Sequence, residues 1–231
     1  AHMPVIVFAK GKDGNRIPIA VNVAPLYNNV GKVIGGVETF RDLSGVMPDL
    51  KRARQIQRGL LTASLPQDPR LRFSTFYRAR DIVGGDFYAI SAETDDCYAF
   101  ILADVEGHGL SAALNSVHLN TVWNMYRDLR SSPAHFLVAA NDYLAEVFSP
   151  VNAFAVAVCG VFDAPSGELR IAGAGGPPPL VLRPGSPPQW LQSRGIPLGI
   201  AVGHAYHETK TVLEPGDRLM MCTDGVFEVH N

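Results

Sequence analysis

Three aspartates, each on a glycine-bearing turn at the end of an apolar run, constrain this chain most. They are Asp86 in Val83-Gly84-Gly85-Asp86-Phe87-Tyr88, Asp104 in Leu102-Ala103-Asp104-Val105-Glu106-Gly107-His108-Gly109, and Asp224 in Cys222-Thr223-Asp224-Gly225-Val226. A turn alone explains any one of them, because Asp and Gly tolerate the backbone angles that turns need. Together they are expected to form one acidic metal centre, since clustered carboxylates repel one another and are costly to desolvate unless a cation neutralises them. Hard oxygen ligands without a supporting His/Cys cluster favour Mg²⁺ or Mn²⁺ over Zn²⁺.

The 231 residues, 47% of them apolar, suffice for one full domain with a real core plus an appendage. The net charge of −2 comes without a long Lys/Arg block, which argues against nucleic acid or an anionic membrane as the main partner. No uninterrupted apolar stretch approaches a membrane span. Cys97, Cys159 and Cys222 are scattered through strand-like runs, a pattern of buried free thiols in a reducing cytoplasm. Ala1-His2-Met3 reads as a cloning remnant.

Short β-patterned runs, Val5 to Phe8, Ile17 to Val23 and Val33 to Phe40, are separated by Lys12-Asp13-Gly14-Asn15 and Asn28-Asn29-Val30-Gly31, both hairpin-type signals. A helix is expected from about 48 to 63, with Pro48 in its first turn and Leu50, Ala53, Ile56, Gln57 and Leu60 on one stripe. A helix this short needs a packing partner, either the following domain or its own copy in a second chain. From Leu71 the pattern is β-rich, with strands expected near 71–79, 85–92, 97–104, 153–162, 168–174, 179–183, 188–192, 206–213 and 217–223. Helices are expected near 109–130, with Leu110, Ala113, Leu114, Val117, Thr121 and Met125 on one stripe, and near 132–149, with Phe136, Ala140, Tyr143, Leu144 and Val147. The boundaries are therefore 1–3, an N-terminal meander over 4–44, a linker helix over 45–66 and a main domain over 67–231.

The order of these motifs resembles the sporulation stage II protein E type phosphatases, a bacterial branch related to protein phosphatase 2C. The resemblance begins at Ala53-Arg54-Gln55-Ile56-Gln57-Arg58-Gly59-Leu60-Leu61 and continues through the Asp86 and Asp104 motifs. It takes in Phe162-Asp163-Ala164-Pro165-Ser166-Gly167-Glu168-Leu169, Ala172 to Leu180 and Pro197-Leu198-Gly199, and ends with Pro215-Gly216-Asp217-Arg218-Leu219 and Thr223-Asp224-Gly225-Val226-Phe227-Glu228. It implies an α+β fold, an α/β/β/α sandwich of two antiparallel sheets flanked by helices. It also implies two Mn²⁺ or Mg²⁺ ions that activate a water for attack on phosphorus, held by Asp86, Asp104, the backbone carbonyl of Val105 and Asp224. By the same resemblance, Asp86 would contact both ions, His108 would be the general acid, and Thr223 and Glu228 would support the ligands. The implied substrate is a phosphoserine or phosphothreonine on a regulatory protein of the anti-sigma-factor-antagonist type. The implied assembly is a homodimer through the 48–63 helix. The meander resembles the last strands of a PAS sensory domain, on Lys12-Asp13-Gly14 and on Gly35 to Ser44, which implies an upstream sensor without a ligand pocket in this segment.

Several positions depart from the family pattern. Gly176 stands where a histidine is usual, Ala89 where an aspartate often follows the Gly-Asp-Phe-Tyr block, and Ser64 near a usual proline. The family also continues past Thr-Asp-Gly to a strand with an Asp-Asp pair, so the chain is expected to lack a C-terminal strand and a further metal ligand. The rival function is therefore a regulatory module that binds its partner without turnover. A diguanylate cyclase reading of Gly84-Gly85-Asp86-Phe87 is excluded, because that signature needs Glu where Phe87 stands.

Overall fold

The computed structural model describes residues 5–61, 65–79 and 81–226. The readings made of Ala1-His2-Met3, of Ser64 and of Glu228 lie outside them, as do the last residues of the expected linker helix. Two compact units divide the chain, one up to Gln55 and one from Ile56 onward.

In the first unit β1 (Val5–Lys10), β2 (Arg16–Tyr27) and β3 (Val33–Asp42) form an antiparallel meander, as the two hairpin signals predict. The first turn closes through Gly11 N–H to Asn15 carbonyl at 2.8 Å, with Asp13 accepting from the Asn15 backbone at 3.1 Å. In the second, Asn28 Oδ1 accepts from Lys32 N–H at 2.9 Å. Helix α1 (Met47–Leu61) carries Asp49 in its first turn and Arg58 in its last, both favourable to the helix dipole.

The second unit is built on a five-stranded antiparallel sheet in the order β10-β7-β6-β5-β4, made of β4 (Phe87–Ala92), β5 (Cys97–Val105), β6 (Ala155–Asp163), β7 (Glu168–Ala174) and β10 (Glu208–Val212). A smaller sheet runs β11-β8-β9, from β8 (Leu180–Leu182), β9 (Gln189–Trp190) and β11 (Arg218–Met220). The period-2 rule sorts the β5 side chains. Ala99, Ile101, Ala103 and Val105 pack with Leu119, Trp123, Phe136 and Leu144 of helices α2 (Gly109–Met125) and α3 (Pro133–Phe148). Phe100 faces the other way, into a second cluster with Leu169, Ile171, Val181 and Leu191. Helices, large sheet and small sheet thus stack as layers around two cores, the α+β sandwich expected from the sequence. Cys159 lies at the centre, fully buried between Ile101 and Ala172 in the ladder, and burial pushes its thiol far up.

Two expectations need correction. The stretch 71–79 is not a strand; Leu71 makes only an isolated bridge to Asp68. Its alternating aromatics are spent on side-chain packing, Phe73 against Tyr98 at 5.4 Å and Tyr77 against Tyr88 at 6.4 Å between ring centroids. In α2 the buried residues are Ala112, Ala113, Ser116, Leu119, Val122 and Trp123, while Leu110, Leu114 and Met125 of the expected stripe are exposed. Both faces of this helix are apolar, and the face bearing Ala112 and Ala113 is the one that packs on the sheet.

Arg130, just past α2, is buried and fastens the helix end to β4. Its Nε donates to Trp123 carbonyl at 2.9 Å, its Nη1 to Ser91 Oγ and Glu93 Oε1 at 3.0 Å each, and its guanidinium stacks 4.1 Å from the Trp123 ring centroid. Arg130→Met strands the largely buried Glu93 carboxylate, so we expect a loss of about 3 kcal/mol in urea unfolding. Asn141 of α3, fully buried, accepts from Gly199 N–H at 3.0 Å and donates to Ala201 carbonyl at 2.6 Å. This anchors Pro197-Leu198-Gly199, and Leu198 in turn bridges Ala155, the ladder partner of Val105.

Candidate metal centre

The pairing of β4 with β5 ends at Phe87 opposite Ala103, so Asp86 and Asp104 stand one step further on, across from each other. By alternation Asp104 shares the face of Phe100, which is turned toward the second sheet. Asp224 arrives from that second sheet, just beyond β11 in a short 3-10 turn. All three carboxylates therefore gather at one edge of the sheets, close enough to act on one another's charge.

Gly85 makes the gathering possible. A Cβ there would lie 2.6 Å from the Val105 carbonyl oxygen and 3.0 Å from Asp104 Oδ1, so only glycine lets the two loops close this tightly. The Val105 carbonyl, expected as a ligand, thus belongs to the same cluster. Past it the chain turns through Gly107 and Gly109, both at positive φ, with His108 extended between them. His108 Nδ1 lies 3.2 Å from Asp81 Oδ2, with both side chains exposed.

The electrostatics are those of crowded anions. The Asp104 carboxyl is pushed up to about 7, first by burial, then by the charges of Asp86 and Asp224, and its protonated form bonds to both neighbours. Burial likewise raises Asp86, with the Asp224 charge adding to it, while hydrogen bonds from Thr223 and Asp104 pull the other way. Thr223 thus donates a hydrogen bond to Asp86. Among the described residues no three His, Cys, Asp or Glu side chains stand close enough together to hold an ion by themselves. The chemistry of the aspartate cluster fits a hard divalent cation: carboxylate and carbonyl oxygens, partly desolvated and holding a proton that a cation would displace.

Sequence reasoning placed Gln57 on an apolar stripe and missed its task. Only 5% exposed, it clasps the loop that leads to Asp86 with both ends of its amide: Nε2 donates to Gly84 carbonyl at 2.5 Å and to Ser116 Oγ at 3.0 Å, and Oε1 accepts from Gly84 N–H at 3.2 Å. A single amide inside an otherwise apolar stripe was the available signal. Asp81 was missed too, and no spacing rule would have paired it with His108. Gly176, at the usual histidine position, sits so close that a Cβ would lie 3.1 Å from the Ala157 carbonyl.

The layered arrangement of helices and two antiparallel sheets is the fold of PP2C-type domains. Among solved structures the fold matches the SiaA-PP2C domain of Pseudomonas aeruginosa at a TM-score of 0.66 and 23% identity, over 78% of this chain and 72% of that one. Residues 94–231 match the model of the Stage II sporulation protein E (SpoIIE) family, and the chain belongs to that family. Relatives in sequence include Protein IcfG of Synechocystis, 25% identical over 79% of this chain, and Phosphoserine phosphatase RsbP of Bacillus subtilis, 24% identical over 78%. The chain spans 33% and 45% of the lengths of those two proteins.

Proposed function

We propose that this chain is a Mn²⁺- or Mg²⁺-dependent protein phosphatase that hydrolyses a phosphoserine or phosphothreonine on a regulatory protein of the anti-sigma-factor-antagonist type. The observation that carries the reading is the crowding of Asp86, Asp104 and Asp224, whose charges raise the Asp86 and Asp104 carboxyls, in a chain of this family. The relative RsbP is a phosphoserine phosphatase, which supports the substrate class. Asp86, Asp104, Asp224 and the Val105 carbonyl would hold the ions. Bound there, a metal pair supplies Lewis acidity toward the phosphoryl oxygens and a lowered pKa for a nucleophilic water. Thr223 orients Asp86, and Gln57 and Gly85 fix the spacing of the two aspartate loops. Hydrolysis of a phosphoserine peptide that appears with Mn²⁺ and vanishes with chelator tests this. A rate equal in chelator would sink it.

A second reading follows from the departures from the family pattern, Gly176 in place of a histidine among them: a module that binds a phosphoprotein without turnover. Such a module would hold its partner equally well in chelator.

The meander would belong to a PAS-type sensor that regulates the phosphatase from its N-terminal side. The 48–63 helix would pair two copies, because Ile56 remains 66% exposed while Gln57 and Leu61 turn inward. Ile56→Asp should then halve the mass measured by light scattering with little change in thermal midpoint. An unchanged mass would remove the dimer proposal. Among the described residues no helix is long and apolar enough to cross a membrane.

A further inference from the structure

We propose that Asp81 is the positioning residue of His108, the residue that the family resemblance makes the general acid for the leaving serine oxygen, and that the two form a proton-delivery dyad. The inference rests on the phosphatase reading above and adds Asp81 to it.

His108 is the N-cap residue of α2, at φ −148° and ψ 168°, yet its side chain makes no capping bond to the helix. A residue in this place usually turns its side chain to the free N–H groups of the first turn. Here the imidazole instead reaches Asp81, with Nδ1 at 3.2 Å from Oδ2. Gly109 follows at φ +75°, and a Cβ there would lie 3.7 Å from the same Asp81 oxygen, so the carboxylate stands over the turn at which the helix begins. Asp81 precedes the Val83-Gly84-Gly85-Asp86 loop and His108 follows the Asp104-Val105 strand end. The pair therefore spans the two loops that carry the proposed metal ligands.

A carboxylate that accepts from Nδ1–H fixes the ring orientation and leaves Nε2 as the nitrogen that exchanges a proton. In the reaction, a water oxygen forms its bond to phosphorus while the phosphorus–serine oxygen bond breaks. The electron pair of the broken bond stays on the serine oxygen, which takes the Nε2 proton and leaves as a hydroxyl. One proton of the attacking water remains on the phosphate and the other returns through solvent to the imidazole. One water is consumed, and serine and hydrogen phosphate are the products.

The test compares a short synthetic phosphoserine peptide with p-nitrophenyl phosphate in Mn²⁺, because nitrophenolate leaves without a proton and a serine alkoxide does not. His108→Gln should lower the ratio of the two kcat values, peptide over nitrophenyl ester, by about 30-fold or more, and Asp81→Asn by about tenfold. Asp81→Glu should recover most of that loss, and the double variant should be no worse than His108→Gln alone. An unchanged ratio in Asp81→Asn, or losses that simply multiply in the double variant, would overturn the dyad while leaving the phosphatase reading intact. Absence of Mn²⁺-dependent hydrolysis of both substrates by the unaltered chain would overturn that reading and the dyad with it.

Discussion

Asp104→Asn should abolish metal-dependent phosphatase activity, by about 100-fold or more, while making the metal-free domain harder to unfold. The activity loss follows from the proposed ligand role, since about 3 kcal/mol of lost transition-state charge stabilisation is roughly that factor. The gain in stability follows from the geometry. Burial and two neighbouring anions raise the Asp104 carboxyl to about 7 in the fold, against an ordinary value of 3.8. Between those values the folded state holds a proton that the unfolded chain has released, so metal-free stability falls as pH rises through this window. An asparagine of nearly the same volume removes both the charge and its pH dependence. Thermal melts at pH 5 and 8, with and without Mn²⁺, check the whole set: the unaltered protein should gain more from Mn²⁺ at pH 8, and Asp104→Asn should gain little at either pH. A variant that unfolds, or keeps its metal response, would remove Asp104 from the site. Asp86→Asn and Asp224→Asn should lose activity in the same way.

Gln57→Leu should cost about 2–4 kcal/mol of stability and weaken Mn²⁺ binding together. Leucine fills a similar volume but leaves the Gly84 N–H and carbonyl without the amide that satisfies both, and each stranded buried group costs roughly 1–3 kcal/mol. For a domain of this size that corresponds to a fall of roughly 5–15 °C in thermal midpoint. The coupling to metal arises because Gly84 leads directly into Gly85 and Asp86, where the approach to Val105 and Asp104 is closest. Calorimetric Mn²⁺ titration alongside urea unfolding measures both effects. Lower stability with unaltered metal affinity would make Gln57 a packing residue only.

What the sequence revealed depended on how local the cause was. The three aspartate turns were legible because Asp and Gly at a strand end leave a short-range signature, and their convergence could be argued from the cost of unneutralised charge. Strands such as Cys97–Val105 and Glu168–Ala174 were legible from their apolar runs within a residue or two. The stretch 71–79 misled because alternating aromatics look the same whether they feed a ladder or pack against Tyr88 and Tyr98. In α2 periodicity marked the larger side chains, Leu110, Leu114 and Met125, whereas the sheet took the side with Ala112 and Ala113. Gln57 and Asp81 act on partners 27 residues away, Gly84 and His108, distances that no window of sequence spans.

Cys159, sealed in the middle of β6 with its thiol pushed far from ionisation, turns the protein into its own clock. An alkylating reagent can reach that sulfur only when the central ladder parts, whereas the half-buried Cys97 and Cys222 are open to smaller local openings. Quantifying the three adducts by mass over time would separate global opening from local breathing in one tube, without a label or a substitution. Because Cys222 lies two residues before Asp224, the same time course run with and without Mn²⁺ would record how far an ion quiets the loop around it.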